Sequence, residues 1–87
     1  MPAELNETAV CSVITEALKA ANGSDRLTDP VTILSTMGSP REWDSLSFVS
    51  VFTAVGQAFD VELDDDDAIH FQTAQGIHDF LTEILSE

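Results

Sequence analysis

Apolar residues recur at three- and four-residue spacing in three separate stretches of this chain, and that period restricts it to helices packed on one another. In the first stretch, Val10, Val13, Ile14, Ala17, Leu18 and Ala21 form one stripe. Asn6 is placed to cap its start, and Glu4 and Glu7 suit the positive end of the helix dipole. Lys19 sits near the negative end, and Asn22-Gly23 supplies a left-handed stop. The second stretch runs from Asp44 or Ser45 to Phe59. Its expected core stripe is Leu46, Val49, Phe52, Val55 or Gly56, and Phe59, widened by Phe48 and Val51. Period-two alternation is poor and the stretch is long for a strand, so helix is the better reading. In the third, Thr73 caps a helix whose inward residues are Ile77, Phe80, Leu81, Ile84 and Leu85, with Asp79 and Glu83 outward.

The connections follow from this. A short helix is expected over Asp66 to Phe71, because clustered aspartates suit a helix start. The long connection from Asn22 to Trp43 holds Gly23, Pro30, Gly38 and Pro40, yet also carries Leu27, Val31, Ile33, Leu34, Met37 and Trp43 as apolar anchors. It reads as a packed loop over the core, with a helical turn from Asp29-Pro30 through Leu34. The expected fold is all-α: one domain over residues 1–87, a small four-helix bundle of three long helices and a short third one, with a long first loop.

Charge excludes several functions. Sixteen Asp and Glu face three Lys and Arg, a formal charge of −13 on 87 residues. Lys19, Arg26 and Arg41 cannot form a basic patch, so nucleic acid is not an expected partner. Basic protein surfaces are the natural partners, and such pairing weakens with salt because the Debye length is only about 8 Å at physiological ionic strength. A single cysteine, Cys11, precludes an internal disulfide, and it reads as a packing residue. Met1-Pro2-Ala3-Glu4 shows neither a basic n-region nor an apolar h-region, and no apolar run reaches the roughly 20 residues needed to span a bilayer. A cytoplasmic monomer without membrane insertion is the expectation.

No catalytic constellation is legible: there is no G-x-S-x-G elbow, phosphate-cradling Gly-rich loop or metal-ligand spacing, so an enzyme is not expected. Asp64, Asp65, Asp66 and Asp67 lack the spaced ligands and central glycine of a calcium loop. They read as a solvated acidic patch with at most weak divalent binding. His70 and His78 have no companion ligand at a recognisable spacing. Ser45 has two readings. It is a helix cap, or it is a modification point, since Asp44 can cap the helix itself and a helix start favours a phosphate.

Asp44-Ser45-Leu46 resembles the attachment motif of the acyl carrier protein family. The likeness continues through Phe59-Asp60-Val61-Glu62-Leu63 and Thr73-Ala74-Gln75-Gly76-Ile77, and extends to chain length, helix layout and acidity. The resemblance implies that a phosphopantetheinyl transferase moves 4′-phosphopantetheine from coenzyme A onto Ser45, with Asp44 as helix cap and transferase recognition residue and Leu46 as a partner contact or packing residue. The thiol of that arm, not Cys11, would hold an acyl group as a thioester. Partners would be acyl- or aminoacyl-loading and acyl-processing enzymes with basic docking surfaces.

The chain departs from housekeeping fatty acid carriers. No acid lies between Asp44 and Asp60, where the expected exposed residues are Ser47, Ser50, Thr53 and Gln57. Trp43 before the motif resembles dedicated carriers, such as those of polyketide or D-alanine pathways, and the expected function is a carrier of a polyketide, specialised fatty acid or related biosynthetic pathway. The alternatives are an aminoacyl or peptidyl carrier, or an unmodified acidic helical module binding a basic protein. Phe48 and Phe52, one turn apart, either pack as ordinary core or narrow the space between helices, which would favour short or polar cargo.

Overall fold

A computed structural model describes residues 5–23, 25–27, 30–38, 41–44 and 47–85. These form four helices and no strand: α1 (Glu7–Asn22), α2 (Phe48–Phe59), a 3-10 helix (Asp65–Phe71) and α3 (Ala74–Leu85). Helix α1 packs on α2 and α3, and the 3-10 helix packs on α2 and α3.

The ends of α1 are set by local chemistry. Asn6 Oδ1 accepts the Ala9 N–H at 2.7 Å, satisfying a donor the helix cannot use itself. Gly23 closes the other end at φ 62°, in the left-handed region that glycine occupies without a Cβ clash. Val10, Ile14, Ala17 and Leu18 are buried and Val13 is half-buried, as their spacing requires, but Ala21, expected in the stripe, is exposed in the last turn.

Helix α2 differs from expectation in start and register. Regular helix begins at Phe48, and its buried line is Val51, Val55 and Phe59. Val49, expected inside, is 63% exposed, whereas Ser47, expected outside, is only 3% exposed. The cause is the turn before the helix: the Ser47 hydroxyl is drawn inward to the Glu42 carbonyl, which turns Val49 out. Leu46 lies outside the described residues.

The connection before α2 contains no helical turn at residues 30–34, and Asp29 is outside the described residues. Ser35 N–H instead donates to the Thr32 carbonyl at 2.9 Å, and Ser35 Oγ accepts the Thr32 N–H at 2.8 Å. This tight turn buries Ser35 and leaves Leu34, an expected anchor, 84% exposed at its apex. The remaining anchors hold: Leu27, Val31, Ile33 and Met37 pack on the core and Trp43 lies inside it. Backbone bonds from Met37 N–H to the Gln72 carbonyl and from Ala74 N–H to the Ser35 carbonyl, both 2.9 Å, tie the loop across the junction before α3.

The 3-10 helix starts at Asp65, one residue earlier than expected, with Asp64 N–H donating to Asp67 Oδ2 at 2.9 Å. It buries Phe71 and leaves Ile69 outside. Thr73 Oγ1 caps α3 through the Gly76 N–H at 2.8 Å. In α3, Ala74, Ile77 and Leu81 are buried while Asp79 and Glu83 face out; Leu85, expected inside, is exposed.

Gly76 is held by close approach. A Cβ there would sit 2.8 Å from Thr73 Oγ1 and 2.9 Å from the His70 carbonyl oxygen. Alanine would therefore displace the cap and push on backbone. Gly76→Ala is expected to lower stability by about 1–2 kcal/mol, even though alanine gains about 1 kcal/mol in helix propensity. Urea unfolding followed by circular dichroism checks this; a stabilised variant would refute it.

Candidate functional site

Glu42, Trp43 and Asp44 lead from the core toward the start of α2, and hydrogen bonds among the described residues tie them to Ser47 and Phe48. Trp43 is fully buried among α1, α2 and α3 core residues, so the chain is anchored one residue before Asp44. The Trp43 carbonyl accepts the Gly38 N–H at 2.7 Å. The Glu42 carbonyl accepts the Asn22 side-chain amide at 3.4 Å, which links this segment to the end of α1.

Asp44 and Ser47 then bind each other's backbone. Asp44 Oδ1 accepts the Ser47 N–H at 3.0 Å, and Ser47 Oγ accepts the Asp44 N–H at 3.0 Å. This is a reciprocal capping arrangement, with a serine in the place usually taken by Glu or Gln. The Asp44 carbonyl accepts the Phe48 N–H at 2.9 Å, so the turn is already helical in its bonding. The Ser47 hydroxyl donates to the Glu42 carbonyl. Asp44 itself stays exposed. Ser45 and Leu46 lie outside the described residues.

By polarity alone Ser47 is expected to be an exposed hydroxyl. Its role has a signal, because Asp-x-x-Ser has the spacing of a capping box. Ser47→Ala removes the acceptor for the Asp44 N–H and the donor to the Glu42 carbonyl. A loss of roughly 1–2 kcal/mol is expected. Urea midpoints measure it, and a loss below about 0.3 kcal/mol would show that the bonds are dispensable.

A groove of about 250 Å³ opens beside this turn, lined by Phe48, Val49, Phe52, Asp65 and Ala68. Four walls are apolar and one is a carboxylate. Val49 and Ile69, two exposed apolar residues, stand on the two helices that meet here. Asp64, Asp65 and Asp66 are exposed and Asp67 half-buried at the start of the 3-10 helix. Among the described residues, no group of three or more His, Cys, Asp or Glu is placed to hold a metal ion.

Cys11 is half-buried in α1. Burial, with a smaller contribution from the Glu7 carboxylate, pushes its thiol above the ordinary value. It is protonated near neutral pH and a poor nucleophile. Among the described residues, no helix is long and apolar enough to cross a membrane.

No family model, curated protein or solved structure matches this chain.

Proposed function

We propose that the chain is a carrier protein of the acyl carrier type, a small four-helix bundle modified with 4′-phosphopantetheine at Ser45. The observation that carries this reading is the reciprocal pairing of Asp44 and Ser47. It closes the first turn before α2 from either side of Ser45, so capping can proceed without the Ser45 hydroxyl. Trp43, locked in the core, holds that turn in place from the other side.

The neighbouring groove fits the arm. Its apolar walls suit an uncharged chain, and the Asp65 carboxylate suits amide N–H donors. Once attached, the group supplies a thiol that holds an acyl cargo as a thioester. The protein contributes no catalysis of its own; its residues orient and present the cargo to loading and processing enzymes.

The docking surface differs from an acidic helix. Helix α2 carries no charged residue, and its outer positions include Val49, Thr53 and Gln57. Negative charge is concentrated at Asp44 before α2 and from Asp60 to Asp67 after it. Partners with an apolar centre and a basic rim complement this pattern. The pattern favours a dedicated carrier, of a polyketide, specialised fatty acid, or aminoacyl or D-alanyl pathway, over a general fatty acid carrier. An unmodified acidic module binding a basic protein is the competing function.

Intact mass separates the two. Incubation with coenzyme A, magnesium and a promiscuous phosphopantetheinyl transferase is expected to add one phosphopantetheine group. No addition with any transferase would favour the unmodified module.

A further inference from the structure

A series of aromatic rings, each near the next, runs from α2 across the 3-10 helix to α3. Phe48 stacks on Phe52 at a centroid distance of 6.2 Å and 22°. Phe52 meets Phe71 edge-on at 4.9 Å. Phe71 meets Phe80 edge-on at 5.9 Å, and Phe80 stacks on His70 at 4.8 Å. These are van der Waals separations, and no chain of methylenes fits between such rings. Phe71 is fully buried, while Phe48 and Phe52 are half-buried and form the inner wall of the open groove.

An alkyl chain enters a protein only where it finds apolar volume or displaces side chains. Forcing one into a packed interior drives rings off their rotamers, which opposes the gain from burial. We infer that the ring series headed by Phe48 and Phe52 excludes long acyl chains from the helix interior, so that the cargo is short or polar and is presented in the surface groove. This deepens the carrier reading and rests on it for the identity of the cargo. The rings are the specificity determinants, and Phe52 is the central one because it contacts both Phe48 and Phe71.

The test uses a chemical tether, so it does not depend on any transferase. In the full chain, Cys11→Ser and Ser45→Cys together leave one thiol, at position 45, which is alkylated with iodoacetamides bearing linear alkyl chains of increasing length. An enclosed chain would raise the melting temperature by roughly 3–6 °C per buried methylene. The expected result is a total change below about 3 °C across the series, with a progressive rise appearing in Phe52→Ala, or in Phe48→Ala should Phe52→Ala fail to fold. A progressive rise without either ring substitution overturns the inference. A flat series in both ring variants overturns it as well, because the rings would then not be what excludes the chain. Absence of phosphopantetheine addition at Ser45 in the mass experiment defeats the carrier reading separately, leaving the tether series readable.

Discussion

Ser45→Ala is expected to abolish phosphopantetheine attachment completely while leaving the melting temperature within about 4 °C of the parent chain. The first half follows from chemistry: attachment forms a phosphodiester through the serine oxygen, and alanine has no oxygen to give. The second half follows from how the turn is held. Among the described residues its hydrogen bonds join Asp44 to Ser47, Ser47 to Glu42 and Phe48 to Asp44. Substitutions away from a cap or core generally change stability by about 0.5 kcal/mol or less. The pair of measurements matters because an unfolded variant would also escape modification. Loss of modification with a retained melt assigns the chemistry to Ser45. A variant that still gains the group would move the site elsewhere, and a collapsed melt would make Ser45 a structural residue. Ser47→Ala provides the converse control, since it weakens the turn but keeps the Ser45 oxygen.

Both ends of helix α1 were legible because everything that bounds it is local. The Asn6 cap acts over three residues, Gly23 acts at its own position, and the apolar stripe is regular. The Thr73 cap on α3 is local in the same way. The register of α2 was not legible, because the bond that sets it runs from a side-chain hydroxyl to a backbone carbonyl five residues earlier, which apolar spacing does not register. Ser47 is polar and reads as solvent-facing, yet the Glu42 carbonyl draws its hydroxyl inside, and Val49 is turned out in consequence. Leu34 fails for a similar reason: the Thr32–Ser35 turn buries a serine and raises a leucine to its apex. A pattern rule that counts only hydrophobicity assigns both pairs the wrong way round. At the candidate site, Asp44 as a capping residue was visible in its type and position; its partner Ser47 has the spacing of a capping box, but a serine stands where Glu or Gln is usual. The groove brings Asp65 and Ala68 against Phe48, Val49 and Phe52, a juxtaposition across about twenty residues of chain that spacing alone does not reveal.

Trp43→Ala is expected to be the most damaging single substitution near the site, with a loss of about 3–5 kcal/mol. The indole is fully buried and contacts a core built from all four helices. Truncation leaves a cavity beneath the turn that the surrounding helices cannot fill without moving. For a chain of this size the loss corresponds to a fall in melting temperature of at least about 12 °C. Total stability of small domains lies near 5–15 kcal/mol, so much of the folded population at physiological temperature is at stake. Trp43→Phe should behave differently. The Trp43 Nε1–H is buried without a hydrogen-bond partner among the described residues. Such an orphan donor costs about 1–3 kcal/mol, and phenylalanine removes it while keeping a ring in the core. The smaller ring gives up some packing, so the two effects offset and the Phe variant should lie within about 1 kcal/mol of the parent. Urea unfolding monitored by circular dichroism, rather than by the fluorescence of the residue being replaced, compares all three proteins. If Trp43→Ala costs under about 1.5 kcal/mol, the indole does not anchor the turn. If Trp43→Phe costs as much as Trp43→Ala, the indole N–H has a partner, and the anchor is polar as well as apolar.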